Sequence, residues 1–281
     1  MIRNYIVLII ISVLLSGCGN GNFDNSRIDK PGQNTKKEQS VYDEVSYEGD
    51  TFVVVPEKRK VDFWDEQFGY QIMGKSEVYI ADVQDGQDGA TQVPGVEYYN
   101  GFGIKDVVEV TIPEKVIYDN KTYTVVGIGY YSFTGCDNVK SIYMPDTIKF
   151  VEYSAFEACE QVETIKWSEN LVYIGDNSFS LLELSEIKLP NSLRWIGESL
   201  ISFNKKVVKI EIPENVQVLG KWAFNDCISL QEVKFLSPEI KVGEYVFFNC
   251  DNLKKVYVPK ESRDYYKECF KEYDFEVLSI E

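Results

Sequence analysis

The chain has 281 residues, of which 45 are acidic and 29 are basic, and its formal net charge at pH 7 is −16. A surface of this charge repels phosphate backbones, so we expect no nucleic acid partner. The sequence contains no histidine, which excludes Ser-His-Asp and Cys-His nucleophile systems and histidine-bearing zinc or haem sites. We therefore expect a protein that is not an enzyme and that binds no cofactor and no metal ion.

Residues 1–17 have the features of a bacterial lipoprotein signal peptide. Arg3 precedes an apolar segment that runs from Tyr5 to Leu15, and the sequence Leu-Ser-Gly-Cys ends at Cys18. The segment is short for a membrane span and no stop-transfer sequence follows it. We expect cleavage before Cys18 and lipidation of its side chain. Each buried methylene then contributes ~0.8 kcal/mol to membrane binding, so the lipid is the only expected membrane contact of an exported protein.

The next two segments differ in their hydrophobic pattern. Residues 18–50 are polar and charged without apolar periodicity, which predicts a disordered tether. Residues 51–126 contain segments such as TFVVV and EVYIADV, whose alternation indicates strands. Asp119 and Asn120 separate two such segments and predict a hairpin. We expect residues 51–126 to form an N-terminal antiparallel β cap domain.

A repeat of 22 or 23 residues fills residues 127–258. Its apolar triplet, loosely Leu-x-x-Ile-x-Ile, begins at Val139, Val162, Leu184, Val207, Leu230 and Leu253. An aromatic position keeps the same step at Phe133, Phe156, Phe179, Ile201, Phe224 and Phe247. One such unit has room for a short strand, a helical turn and bends, and it buries its apolar side chains only when coils stack. The sequence predicts a solenoid whose parallel strands lie about 4.8 Å apart along one face.

Cysteine recurs at one position of the repeat, and we call such a set of equivalent positions a column. This column contains Cys136, Cys159, Leu182, Asn204, Cys227 and Cys250. Because leucine also occupies it, and because unpaired cysteine behaves as a small apolar residue in interiors, we interpret it as a packing position. Stacking brings Cys136 near Cys159 and Cys227 near Cys250, but stacked side chains run parallel whereas a disulfide needs a convergent pair. Free thiols are therefore favoured, and the disulfide state stays open.

The repeat ends at Pro259. A short amphipathic helix is predicted next, with its apolar side at Tyr265, Tyr266, Cys269 and Phe270. A last strand is predicted from Phe275 to Ile280. Since an open stack of coils needs a shielded end, we interpret residues 259–281 as a C-terminal cap.

The segment IEIPENVQVLGKWAFNDCISL at residues 210–230 resembles the repeat of BspA-like leucine-rich repeat surface proteins, which are common in gut and oral bacteria. The resemblance covers about residues 110–281, and the segment 180–208 departs from it. It implies a leucine-rich repeat solenoid of the β-rich α/β class with a short parallel strand and a helical turn in each coil. It also implies adhesion to proteins of a host or of other bacteria, a location on the cell surface or outer membrane, and no shared catalytic residue.

The exposed strand positions of the coils form the candidate binding face, which contains seven lysines and four glutamates. Its selected members are Tyr143, Lys166, Lys188, Glu211, Lys234 and Tyr257. Such a face can dock an acidic protein or a glycan. The alternation of charge along the column of Glu186, Lys209, Glu232 and Lys255 also fits a solvated ladder of cross-strand pairs, which would be functionally silent.

These features lead to one main hypothesis and two alternatives. The main hypothesis is a monomeric, lipid-anchored surface protein that binds a protein partner. The first alternative is a glycan-binding or nutrient-capture lipoprotein that uses exposed aromatic residues, for which the candidates are Tyr98, Tyr99, Phe102, Tyr130 and Tyr131. The second is a hydrolase with two carboxylates, which a converging carboxylate pair in a deep cleft would support.

Overall fold

The structure is a computed structural model that describes residues 43–47, 50–54, 61–65, 67–73, 75–83 and 108–280. The signal peptide, Cys18 and most of the predicted tether lie outside the described residues, as do Tyr98, Tyr99 and Phe102.

Two strands lie at the C-terminal end of residues 18–50, which the sequence predicts as a tether. Strand β1 (Asp43–Tyr47) and strand β2 (Asp50–Val54) form a two-stranded sheet of their own. Val45–Thr51 belong to a compact unit separate from the one that contains all later strands. Residues 43–47 thus form a strand within the segment for which the sequence predicted a disordered tether. Only two residues separate the strands, and such a short connection allows neighbouring backbone groups to pair.

The N-terminal part of the main unit is an antiparallel meander joined to a hairpin. Strands β3 (Phe63–Trp64), β4 (Phe68–Ile72) and β5 (Glu77–Val83) pair antiparallel in sequence order. Strands β7 (Lys115–Tyr118) and β8 (Lys121–Ile128) form the predicted hairpin. Its turn residues Asp119 and Asn120 have φ values of 48° and 58°, as a two-residue turn of the primed type requires. Strand β5 pairs parallel with β8 and so connects the meander to the solenoid.

A long parallel sheet begins at β8 and takes one two-residue strand from each coil. These strands are β10 (Phe150–Val151), β12 (Tyr173–Ile174), β13 (Trp195–Ile196), β15 (Val218–Leu219) and β17 (Lys241–Val242). Each pairs in parallel with the next, and the whole sheet has ten strands in the order β17-β15-β13-β12-β10-β8-β5-β4-β3, with β7 beside β8. The leucine-rich repeat solenoid is thus confirmed.

The predicted strand face consists of two shorter parallel sheets. The first contains β6 (Glu109–Thr111), β9 (Ser141–Tyr143) and β11 (Thr164–Lys166). The second contains β14 (Lys209–Ile212), β16 (Glu232–Phe235), β18 (Lys255–Val258) and β19 (Glu276–Ser279). Because β6 pairs with β9, the stack of coils already includes residues that we assigned to the 51–126 domain. The reason is that Val110 and Ile112 are buried at the positions of Ile142 and Met144.

Each coil closes with a turn segment, and these are residues 129–136, 152–159, 175–182, 197–204, 220–227 and 243–250. The prediction of a helical turn here is corrected, because the backbone forms overlapping tight turns. The N–H of Cys136 donates to the carbonyl of Phe133 at 3.2 Å, three residues back, whereas the N–H of Phe133 donates to Ala155 in the next coil at 2.8 Å. A positive φ recurs at every fourth residue, for example at Ser154 and Ala158, and this is incompatible with continuous α-helix.

The repeat columns form the core. Phe133, Phe156 and Phe179 are fully buried and stack, with ring centroids 4.8 Å and 5.4 Å apart. The members of the cysteine column are buried as predicted. The Cys159 thiol donates to the carbonyl of Phe133 at 3.1 Å, so this position satisfies a backbone acceptor besides filling space. At Gly220 a Cβ would lie 2.4 Å from the carbonyl carbon of Gly197, so the coils approach too closely there for a side chain.

The C-terminal cap contains the predicted helix and strand. A 3-10 helix (Lys260–Ser262) leads into helix α1 (Arg263–Cys269), and β19 then pairs parallel with β18. Tyrosine hydroxyls of this segment bind backbone groups of the preceding coils. Tyr265 donates to Ile240 at 2.5 Å and Tyr266 donates to Ser237 at 2.9 Å. The cap thus supplies hydrogen bonds that a further coil would otherwise make.

Candidate binding surfaces

The six residues selected from the sequence occupy one column of the strand face. Tyr143 lies opposite Lys166 in the first short sheet. Lys188 lies opposite Glu211, Glu211 opposite Lys234, and Lys234 opposite Tyr257 in the second. Thr111 and Leu278 extend the column at its two ends. The register therefore aligns Tyr143 with Lys166 in one set, and Lys188, Glu211, Lys234 and Tyr257 in another.

The column is interrupted between Lys166 and Lys188. On the strand face, no pairing among the described residues joins β11 to the next coil, and that next coil contributes only the single bridge at Lys188. The long sheet is continuous here, because β12 pairs with β13. The interruption coincides with the segment 180–208, where Asn204 replaces cysteine. The Asn204 side chain is buried and accepts the N–H groups of Lys206 and Val207 at 2.9 Å and 2.8 Å. The candidate face thus has two parts, with Tyr143 and Lys166 in the N-terminal part.

Charges in the C-terminal part of the face compensate one another. Lys234 pairs with Glu211 at 3.0 Å, Lys209 pairs with Glu232 at 3.2 Å, and Lys188 pairs with Glu186 at 2.9 Å. The hydrogen bond to Glu186 raises the pKa of the Lys188 ammonium. Such exposed pairs contribute about 0–1 kcal/mol each. Of the suggested column of Glu186, Lys209, Glu232 and Lys255, the pair of Lys209 with Glu232 joins adjacent strands, whereas Glu186 pairs with Lys188 of its own coil.

In the N-terminal part of the face, fewer charged side chains form ion pairs. Tyr143 is 39% exposed, and Lys140 and Lys166 are exposed. Among residues 108–280 and the other described segments, no ion pair is found for either lysine. Glu109 and Glu163 are also exposed in this part and offset the two lysines in net charge. An exposed aromatic side chain beside charged groups that are available to pair with a ligand is a combination found in binding surfaces.

A second aromatic group lies on the turn side of the first two coils. The rings of Tyr130 and Tyr153 are 6.3 Å apart and nearly parallel, and the ring of Tyr131 meets Tyr153 edge-on at 5.3 Å. Tyr131 is 39% exposed. Sequence reasoning had selected Tyr130 and Tyr131 but missed Tyr153. The 23-residue step from Tyr130 to Tyr153 is the signal that could have found it.

Two acidic residues of the turn segments, Glu152 and Asp176, lie in or near the interior. Glu152 is 1% exposed and stands in the column otherwise occupied by glycine. Burial raises the pKa of the Asp176 carboxyl, although the N–H of Glu198, which donates to it at 2.7 Å, lowers that pKa. Burial and the charges of Glu152 and Asp176 raise the pKa of the Tyr173 hydroxyl. Because Asp176 binds a backbone N–H, we interpret it as a structural residue.

The cysteines offer no reactive thiol in the solenoid core. The five cysteines among the described residues are free: Cys136, Cys159, Cys227, Cys250 and Cys269. Burial raises the pKa of the Cys159 and Cys227 thiols well above the usual value. The thiolate is the nucleophile and the metal ligand, so such thiols are inert. The described segments contain no cluster of three or more potential metal-ligating side chains.

A third surface, which the sequence did not reveal, lies at the C-terminal end of the stack. Lys221 lies 4.2 Å above the ring of Trp222, 5.5 Å from the ring of Tyr245 and 3.5 Å from the Glu244 carboxylate. Tyr245 meets Phe248 edge-on at 6.2 Å. Beside them is a cavity of about 720 Å³ between the last turn segment and the cap. We call it the terminal cavity.

The helices within the described ranges are too short or too polar to cross a membrane.

Comparison with known proteins places these surfaces on a known fold. The T. pallidum leucine-rich repeat protein is 20% identical, with a TM-score of 0.57 over 78% of this chain and 99% of that one. A leucine-rich cell surface protein of Faecalibacterium prausnitzii A2-165 is 18% identical, with a TM-score of 0.52 over 69% of this chain and 53% of that one. At these sequence identities, the structural similarity establishes a shared fold. No curated protein matches the chain in sequence.

The repeats themselves identify the family. Six copies of the BspA type leucine-rich repeat region match residues 110–206 and 202–280. These residues make up more than half of the chain, which therefore belongs to the BspA type leucine-rich repeat family.

Proposed function

We propose that the chain is an exported, lipid-anchored protein of the bacterial cell surface that binds a protein partner through its strand face. The family membership and the similarity to a cell surface protein support the surface location. The sequence Leu-Ser-Gly-Cys at residues 15–18 supports the lipid anchor at Cys18.

The observation that carries the binding proposal is the N-terminal part of the strand face. Tyr143 and Lys166 are neighbours on adjacent strands, both are exposed, and the described residues include no ion-pair partner for Lys166. Rigid strands hold these side chains at a fixed spacing, which reduces the entropy lost on binding. Lys140 and Lys166 have no ion-pair partner among the described residues, so they are available to pair with carboxylates of a partner.

The test is a binding screen of the full chain, purified in detergent, against arrays of extracellular-matrix proteins, bacterial surface proteins and glycans. Tyr143→Ala with Lys166→Glu perturbs the N-terminal part of the face, and Lys188→Glu with Lys234→Glu perturbs the C-terminal part. The control is Lys260→Glu with Lys267→Glu, which adds the same charge as the second pair at exposed positions of the cap.

We expect binding to a protein that the first pair reduces at least tenfold and the control leaves unchanged. Loss with the second pair alone would move the site to the paired lysines. Equal loss in all three variants would show non-specific charge attraction and contradict the proposal.

Glycan binding is the second candidate function, and the group of Tyr130, Tyr131 and Tyr153 favours it. Aromatic rings with one exposed face pack against apolar ligand surfaces. Tyr131→Asn is the suitable variant, because asparagine tolerates the φ of 57° at this position. Glycan binding that Tyr131→Asn abolishes and Lys166→Glu preserves would establish this function instead.

The lipid anchor has its own test. Cys18→Ser should move the chain from the membrane fraction to the soluble fraction of the producing cells and abolish labelling by a fatty-acid analogue. Unchanged labelling would contradict the assignment of Cys18.

A further inference from the structure

Successive turn segments are joined by a regular ladder of backbone hydrogen bonds. Alternate N–H groups of one segment donate to alternate carbonyls of the next. Between the fifth and sixth segments these bonds are Trp222 to Glu244 at 3.1 Å, Phe224 to Val246 at 3.0 Å and Asp226 to Phe248 at 2.8 Å. The donating N–H groups are two residues apart in every coil. This regular spacing identifies the N–H groups of the last segment that point toward the end of the stack.

These groups in the last segment are the N–H groups of Tyr245, Phe247 and Asn249. Only Phe247 is satisfied by the cap, since its N–H donates to the hydroxyl of Tyr273 at 3.3 Å. For the N–H groups of Tyr245 and Asn249, the described residues supply no acceptor. The strand side differs, because β19 pairs along β18 there. The cap therefore closes the strand side of the stack and leaves the turn side incomplete.

The terminal cavity lies beside these two N–H groups. It is lined by the last turn segment on one side and by residues 269–270 and 272–275 of the cap on the other. Tyr245 is 53% exposed and Phe248 is 48% exposed, and both border the cavity. Phe247 forms part of its wall and is buried. Apolar rings next to unpaired N–H groups are the features of a free sheet edge that accepts another chain.

The charge around the cavity indicates what that chain carries. Four carboxylates line it, at Glu244, Asp251, Glu272 and Asp274, against one lysine, Lys254, while Lys221 outside the lining pairs with Glu244 at 3.5 Å. Lys254 is bound to the carbonyl of Asp251 at 2.9 Å. A net negative lining attracts a cationic ligand and disfavours an acidic one.

We propose that the terminal cavity binds a basic, extended polypeptide segment of a partner protein, which completes the turn-side ladder. Two carbonyls of the segment, four residues apart, accept the N–H groups of Tyr245 and Asn249, as the carbonyls of Glu244 and Phe248 accept those of Trp222 and Asp226 in the preceding segment. An apolar side chain enters the cavity against Tyr245 and Phe248, and lysine or arginine side chains reach the four carboxylates. Backbone bonds give affinity and side chains give specificity in this mode of recognition. The site is separate from the strand face, so its failure and that of the strand-face proposal are distinguishable.

The test measures fluorescence anisotropy of labelled ten-residue peptides with the full chain in detergent. The probe alternates lysine with valine, and two comparison peptides replace lysine by glutamate or by serine. The cavity variants are Phe248→Ala and the pair Glu272→Lys with Asp274→Lys. The matched control is Glu261→Lys with Asp264→Lys, which makes the same charge change at exposed positions of the cap outside the cavity.

We expect saturable binding of the lysine-valine peptide and at least tenfold weaker binding of the other two. Each cavity variant should weaken binding at least tenfold, while the control pair and Lys166→Glu leave it within twofold. Amide exchange of Tyr245 and Asn249 should slow in the complex. Three outcomes would overturn the proposal: no binding, equal losses in the control pair, or amide exchange at Tyr245 and Asn249 that the peptide does not change.

Discussion

Replacement of Phe156 tests whether the stacked aromatic column stabilises the solenoid. Phe156 is fully buried between Phe133 and Phe179, with ring centroids 4.8 Å and 5.4 Å away. Phe156→Ala removes a whole ring from a packed core, which costs about 3–5 kcal/mol. Phe156→Leu keeps much of the apolar volume and loses mainly two ring contacts at ~0.5–1.5 kcal/mol each, so we expect a loss of about 1–3 kcal/mol.

Urea unfolding of the full chain measures both losses, followed by tryptophan fluorescence and by circular dichroism. Trp167 is a suitable reporter because its ring lies 4.8 Å from that of Phe179. The two signals should be compared, since repeat arrays do not always unfold in one step. Phe248→Ala is the control at an exposed ring, with an expected change of about 0.5 kcal/mol or less. A loss below about 1 kcal/mol for Phe156→Ala, or an equal loss for Phe248→Ala, would refute the reasoning.

Three further perturbations test other parts of the fold. Gly220→Ala should lower the free energy of unfolding, measured in urea, by about 3 kcal/mol or more, because its Cβ would lie 2.4 Å from backbone atoms. Gly135→Ala, whose Cβ would meet open space but whose φ is 72°, should lower it by only about 1–2 kcal/mol. Equal losses would contradict the close approach of the coils at Gly220. Asp176 has a raised pKa in the folded chain, so between the ordinary aspartate value and the raised one the folded state binds more protons and stability falls as pH rises. Asp176→Asn keeps the acceptor for Glu198 and should flatten this slope in unfolding measured between pH 4 and pH 7; an unchanged slope would exclude the residue as its origin. Alkylation without reductant should leave Cys136, Cys159, Cys227 and Cys250 unmodified in the native chain and modify all four in denaturant, because burial makes all four inaccessible; protection that persists in denaturant would demonstrate disulfides.

The two proposed surfaces offer different charged groups to a partner. The N-terminal part of the strand face carries Lys140 and Lys166, whereas the terminal cavity is lined by four carboxylates and one lysine. A partner with both an acidic and a basic segment would engage both ends of the solenoid, and linked contacts of this kind raise affinity through effective concentration.

The sequence by itself determined the solenoid and the register of its strands. A step of 22 or 23 residues in the apolar triplet is sufficient, because coils with one buried side each have no stable arrangement except a stack. The same step placed Lys188, Glu211, Lys234 and Tyr257 opposite one another. It also predicted the buried cysteine column, since Leu182 shares the position of Cys159.

Tertiary structure alone decided the features that depend on contacts between coils. The turn segments resemble helical sequence locally, but their N–H groups find acceptors in the next coil, and this cannot be read from one repeat. The break between Lys166 and Lys188 is a further feature that a repeat pattern does not specify. The terminal cavity exists because residues distant in sequence, such as Tyr245 and Tyr273, meet at the end of the stack. Periodicity determines neighbours within an array, whereas the ends and irregular coils of the array depend on packing that has no period.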